Sequence, residues 1–332
     1  MRMLRDWLRI ARSQTAAAVI MLCGMFFLLG GGSLFSVFGL LVVVFSILVH
    51  DFSFAHNSVI DVLAGYDTKD RFKSHFPLCN GKVRPLSALK VTHLGMFAVT
   101  FFAVYLCWLS PGEKFCAMSC YAVFVVCGFW YNEWTSKTAT WDFVPISLCF
   151  TSLSLYAYFL VNTTMPFLVV LAAQYIFVVE WYEIGVAGEI KEIETPDEVG
   201  LLRKMGARCA YGTFNLGRAA FVYSWIVKLI GVFLLGEIIF FYNNSVASTL
   251  IYIVMSFAMI YFGLKLTRRQ KWNRDKSLRY MAAEEIVSIF ALPLVLIPII
   301  DMVSAVVLIV FSLLYFLAMN YLNWKSFVSP KV

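Results

Sequence analysis

Charge is scarce in this chain: of 332 residues only 14% are charged while 61% are hydrophobic, and the mean hydropathy is +0.79. A soluble domain of ordinary composition carries about 25% charged and 45–50% apolar residues, so a soluble fold is excluded. No stretch lies far enough from an apolar run to form a separate soluble domain. A cleavable leader is not expected from the first apolar run, because it leads straight into a second with no clear cleavage site between them. Partners for the cysteines are lacking too. Cys116 and Cys120 stand one helical turn apart, but no His or second Cys pair lies beside them, so the eight cysteines read as small packing residues.

What is present is a series of apolar runs, each long enough to cross a hydrocarbon core of about 30 Å as a helix. The candidate spans are 14–30, 33–50, 91–109, 114–131, 142–161, 165–182, 218–242, 247–267, 284–300 and 303–322. They predict an all-α fold, a polytopic membrane bundle of nine to ten transmembrane helices forming a single domain over residues 1–332. Gly30-Gly31-Gly32, Ser110-Pro111-Gly112 and Asn243-Asn244 mark hairpin turns. Arg2, Arg5, Arg9 and Arg12 precede the first span, six Lys/Arg lie in 51–90 and seven between Lys265 and Arg279. These segments fall on one side, which places them and the N-terminus in the cytoplasm of a multi-pass cell-membrane protein. The opposite turns hold almost no base except Lys114. The net charge of +7 is therefore mostly topology and does not call for nucleic acid.

Acidic residues concentrate in two of the cytoplasmic segments, Asp51–Lys90 and Glu183–Gly217. Each follows a span directly and begins as a helical continuation. Asn57 and Asp61 are four apart and Glu189 and Glu192 three apart, so each pair shares a helix face. Two acidic faces interleaved with Lys and Arg suit Mg2+ held by a few oxygens and completed by a diphosphate, with the bases on phosphate oxygens. The simpler reading makes both segments solvated helix ends. Against it stand Glu180 and Glu183 at the end of the sixth span, where uncompensated carboxylates are costly. Lys228 and Glu237 inside one span raise a transporter instead, although no paired interrupted helices occur in equivalent halves. Lys228 is expected to pair inside the bundle or snorkel.

The run Asn57-Ser58-Val59-Ile60-Asp61-Val62-Leu63-Ala64-Gly65-Tyr66-Asp67-Thr68 resembles the first signature, N-D-x-x-D-x-x-x-D, of the UbiA superfamily of intramembrane prenyltransferases. Ser58 replaces the first Asp and the last is displaced to Asp67, a form similar to the menaquinone branch that prenylates 1,4-dihydroxy-2-naphthoate. Lys73, Pro77-Leu78 and Gly81-Lys82-Val83 continue that likeness. Glu189-Ile190-Lys191-Glu192-Ile193-Glu194-Thr195-Pro196-Asp197 approximates the second signature, D-x-x-x-D, with Glu192 in place of Asp and Pro196 inserted. The basic lead with Arg12 and Thr15, and a Tyr131…Lys137 loop after the fourth span, follow in the family's order.

The resemblance implies a UbiA-like bundle that transfers a polyprenyl group from a polyprenyl diphosphate to a small acceptor within the bilayer, with Mg2+ as cofactor. Asn57, Asp61 and Asp67 are then the catalytic, metal-binding face, and Glu189, Glu192 and Asp197 the second metal face. Arg12, Lys69, Arg71 and Lys137 would bind the diphosphate, with Asp70 and Lys191 in reserve. The acceptor is read as aromatic, such as 1,4-dihydroxy-2-naphthoate. Transfer to a glycerol-phosphate lipid precursor, a non-catalytic lipid-binding family member and a transporter remain alternatives. His56 and His75 read as loop residues and His93 as an interfacial tip.

Overall fold

Each apolar run becomes a helix, and several helices outlast the run that predicts them, because a hydropathy pattern ends at the membrane border whereas backbone hydrogen bonding does not. The computed structural model describes residues 2–69, 73–135, 139–194, 200–242 and 245–325. Helix α1, Arg2–Ile10, is followed by Arg12 in the left-handed region (φ 50°) and a single 3-10 turn, Ser13–Thr15, before α2, Ala16–Leu29. The axis bends by 58° at this break. Helix α3, Val37–Leu63, starts where Ser36 Oγ accepts the Gly39 N–H at 2.9 Å, a side-chain N-cap. The expected second span stopped at residue 50, and the helical continuation expected beyond it carries Asn57 and Asp61 on its last turns. Gly65, at φ +84°, then turns the chain into the short α4, Tyr66–Lys69.

The chain continues through α5 (Pro85–Leu109), α6 (Lys114–Trp130) with a π-helical extension at Tyr131–Thr135, and α7 (Phe143–Phe159). Next, α8 (Phe167–Tyr182) runs through a π-helical turn, Glu183–Gly188, into α9 (Glu189–Lys191), and α10 is Leu201–Lys204. Strands β1 (Arg208–Ala210) and β2 (Thr213–Asn215) precede α11 (Arg218–Tyr242) and α12 (Val246–Thr267). Last come β3 (Gln270–Lys271), α13 (Arg274–Leu296) and α14 (Met302–Trp324).

Among the described residues seven helices are long and apolar enough to cross a membrane, and eight if the bent α1–α2 pair is one span. The fold is a polytopic membrane bundle, with fewer qualifying spans than the nine to ten expected. Helix α7 has only 17 residues. Helix α13 begins ten residues before the expected ninth span and carries Arg279, Glu284 and Glu285. Asp301, exposed at the turn, caps α14 by accepting the Ser304 N–H at 3.0 Å, and the bonds from Ser304 hold its carboxyl below the usual carboxylate range.

The chain divides into two compact units. The first comprises Met1–Tyr121, Tyr156–Thr163 and Val306–Val332. There α2 and α5 flank α3, and a Cβ on Gly95 would overlap the Phe52 ring, so α5 approaches α3 as closely as only glycine permits. Ile10 and Ala11, at the end of α1, pack on Ala55, Val59 and Val62 of α3.

The second unit comprises Ala122–Leu155 and Thr164–Ala305. Its central helix is α8, 67% of whose apolar stretch is covered against 22% of α12. Phe233, Phe240, Leu250 and Phe257 are exposed on α11 and α12, as lipid-facing side chains are. A three-stranded antiparallel sheet, β1-β2-β3, was not foreseen: its strands have three, three and two residues, too short for a period-2 signal. Phe214 of β2 is fully buried against Trp272, the rings 5.4 Å apart. All eight cysteines are free thiols.

Candidate active site

The first acidic segment is built by the end of α3. Asn57 and Asp61 stack one turn apart on the same face, Asn57 half-buried and Asp61 buried (4% exposed). Asp67, on α4, is buried as well, and Lys73 Nζ donates to its Oδ1 at 2.5 Å. Lys73 thus compensates Asp67 inside the turn that Gly65 makes. His56, expected in a loop, is fully buried on α3 with its ring 5.3 Å from that of His93. Arg12 sits at the α1–α2 break and is half-buried. The side chain of Lys69, together with Asp70, Arg71, Lys137 and Asp197, lies outside what is described.

The second acidic segment is built differently. Glu189 accepts the backbone N–H groups of Leu201 and Leu202 at 2.8 and 2.7 Å, capping α10. A Cβ on Gly200 would run into that carboxylate, so glycine makes the approach possible. Arg203 donates to the Glu192 carbonyl oxygen at 2.7 Å, and Lys191 lies 3.9 Å from the Glu192 carboxylate. The expected metal ligand Glu189 therefore has both oxygens engaged by backbone. Glu189→Ala is expected to lower stability by about 1 kcal/mol, the typical value of a lost cap, and to do so in magnesium-free buffer. Thermal denaturation in detergent measures this, and an unchanged midpoint there would contradict the capping role. Among the described residues no three His, Cys, Asp or Glu side chains gather closely enough to hold a metal ion.

Deeper in the second unit lies a charge cluster the sequence only half revealed. Lys228 of α11 is buried (4% exposed) and donates to Glu284 Oε1, which also accepts from Ser288 Oγ at 2.6 Å. Its Nζ stands 3.4 Å from the centroid of the Tyr182 ring. Glu180 and Glu183 are buried on the same helical run as Tyr182, and among the described residues neither Glu183 oxygen has a hydrogen-bond partner. Lys228 does pair, as expected. Its partner was missed, although a lysine inside an apolar run is itself a signal to look for a carboxylate in another span, and Glu284-Glu285 opens the ninth.

The architecture is that of UbiA homologues, as comparison with solved structures shows. The chain is similar to a digeranylgeranylglyceryl phosphate synthase, with a TM-score of 0.61 and 14% identity over 93% of this chain and 99% of that one. It is similar to a UbiA homologue from Aeropyrum pernix K1 (TM-score 0.65, 11% identity, 86% of this chain and 98% of that one). A UbiA homologue from Archaeoglobus fulgidus bound to GPP and Mg2+ gives 0.58 at 12% identity, over 87% of this chain and 99% of that one. At such identities the likeness is one of fold. No family model matches the sequence, and no curated protein matches it.

Proposed function

We propose that the whole chain acts as one membrane-embedded prenyltransferase domain, transferring an isoprenyl group from a prenyl diphosphate to a small acceptor, with Mg2+ as cofactor. The observation that carries this reading is the placement of Asn57 and buried Asp61 on one face of the end of α3. An amide oxygen and a carboxylate are hard donors, and Mg2+ is commonly held by one or two carboxylates plus substrate phosphates rather than by an all-protein cage. The donor set of α3 fits that habit. Bound there, Mg2+ would neutralise charge on the departing diphosphate.

The chain's own residues do the remainder. Asn57 and Asp61 orient the diphosphate end, and Arg12, Lys69, Arg71 and Lys137 provide cations for its oxygens. Asp67 belongs to the same face and is held by Lys73. Glu192 and Asp197 are the candidates for the second metal face; Glu189 joins them if its cap yields. Apolar helices exclude water, which would otherwise capture an allylic cation. The fold shared with a homologue that binds GPP and Mg2+ supports this assignment.

For the acceptor, the displaced first motif favours an aromatic such as 1,4-dihydroxy-2-naphthoate. The shared fold with a digeranylgeranylglyceryl phosphate synthase favours a glycerol-phosphate lipid precursor as the second reading. The test offers reconstituted protein a polyprenyl diphosphate, Mg2+ and both acceptors, and identifies the product by mass spectrometry. A magnesium-dependent prenylated product is expected, and none with any acceptor would refute the reading.

The Lys/Arg asymmetry supports a cytoplasmic position for both acidic segments. With the eight native cysteines replaced by Ser, an impermeant thiol reagent applied outside intact cells should label Lys114→Cys and spare Lys82→Cys. Equal labelling of the two would overturn the orientation.

A further inference from the structure

Within the first unit, the α1–α2 break gathers buried polar side chains to which no role has yet been given. Ser13, Gln14, His50, Asp51, Asn320 and Asn323 are each 9% exposed or less. The ionisable members are well partnered. Ser13 Oγ donates to Asp51 Oδ2 at 2.8 Å, His50 Nδ1 meets Asp51 Oδ1 at 3.0 Å, and His50 Nε2 meets Thr15 Oγ1 at 2.9 Å. Arg5 and Arg9 donate to the Asn323 carbonyl oxygen.

The amides are not. Asn323 Nδ2 donates to Gln14 Oε1 at 3.0 Å, which joins α14 to the break. Beyond that bond, Gln14 Nε2, Asn323 Oδ1 and both Asn320 Nδ2 and Oδ1 are buried without a partner among the described residues. Asn320 and Asn323 are three apart on α14, hence on one face. Buried amide atoms left unmatched are destabilising, and in native proteins such atoms call for a ligand or an ordered water.

We propose that Gln14, Asn320 and Asn323 form the subsite that grips the polar head of the prenyl acceptor, an inference that rests on the prenyl-transfer reading. Two free donors, Gln14 Nε2 and Asn320 Nδ2, and two free acceptors, Asn320 Oδ1 and Asn323 Oδ1, match a head bearing hydroxyl groups together with carbonyl or acid oxygens. They do not match a diphosphate, which offers acceptors only and would meet the two carbonyl oxygens unfavourably. The patch is linked to the diphosphate face through α3. Asp51, which anchors the break, lies six residues before Asn57, about 9 Å along the helix axis.

The test is binding to purified protein in detergent, by calorimetry, of two probes: 1,4-dihydroxy-2-naphthoate and a glycerol-phosphate ether lipid with a free hydroxyl. Asn320→Leu and Gln14→Met remove the amide with little change of shape. Each should weaken the bound probe about tenfold, the equivalent of ~1.4 kcal/mol, while geranyl diphosphate affinity in Mg2+ is unchanged. Asn320→Leu without ligand should also melt no lower than wild type, because an unmatched amide has gone, whereas a purely structural Asn320 would melt lower. Equal probe binding by wild type and both variants, or no binding of either probe to wild type, overturns the subsite. Amide-sensitive probe binding without magnesium-dependent geranyl diphosphate binding would instead sink the transferase reading and leave the subsite standing.

Discussion

Asp61→Ala is expected to lower prenyl transfer roughly a thousandfold, the equivalent of ~4 kcal/mol of transition-state stabilisation, while the protein stays inserted and its thermal midpoint moves little. The reasoning starts from position. Asp61 is a buried carboxylate on the last turn of α3, one turn from Asn57, so its loss removes the ionised donor of that face. Asn57 is neutral, and Asp67 already answers Lys73. Asp61→Asn serves as the companion variant, keeping shape and one oxygen while removing the charge, and should be nearly as impaired. Turnover is followed with labelled geranylgeranyl diphosphate in proteoliposomes over a magnesium titration. An Asp61→Ala protein that turns over near the wild-type rate would remove the first segment from the site altogether.

The largest effect on stability is expected from Lys228→Met. Removing one partner of a buried ion pair leaves the other uncompensated, at a cost of about 3–5 kcal/mol. The surroundings argue for the upper part of that range. Lys228 answers Glu284 and lies over Tyr182, with Glu180 and Glu183 buried on the same run as Tyr182. The double variant Lys228→Met with Glu284→Gln should recover much of the loss, since replacing both partners avoids the stranded charge. Thermal unfolding in detergent reports both. A single variant as stable as wild type would mean that the pair contributes nothing, and a double variant no better than the single would mean that the damage is one of packing.

The polytopic helical fold was legible because apolar runs of spanning length need no tertiary information, and Gly30–Gly32 and Ser110-Pro111-Gly112 punctuated them. Helix ends were not. That α3 continues past residue 50 was expected from the acidic segment following its span directly, but its stop at Leu63 was not readable. The shared face of Asn57 and Asp61 was readable because they stand four residues apart, one turn of α3. The cap formed by Glu189 was hidden, since it depends on Gly200 bringing α10 against a carboxylate eleven residues upstream. Partners such as Glu284 for Lys228, fifty-six residues apart, or Asn323 for Arg9, more than three hundred apart, are set by packing that one sequence does not display.

That last pairing bears on how the protein is made. Helices insert in chain order, and the first unit draws on both ends of the chain. Arg5, Arg9 and Gln14 are made early, yet the carbonyl and amide of Asn323 that bond the two guanidinium groups and the Gln14 carbonyl oxygen arrive with α14. Gly24 likewise waits for Leu308 to fill the space beside it. Until α14 is in place, those polar atoms lack the partners that the finished unit gives them. Closure of that unit therefore waits for α14, and a ribosome stalled before residue 320 leaves it open.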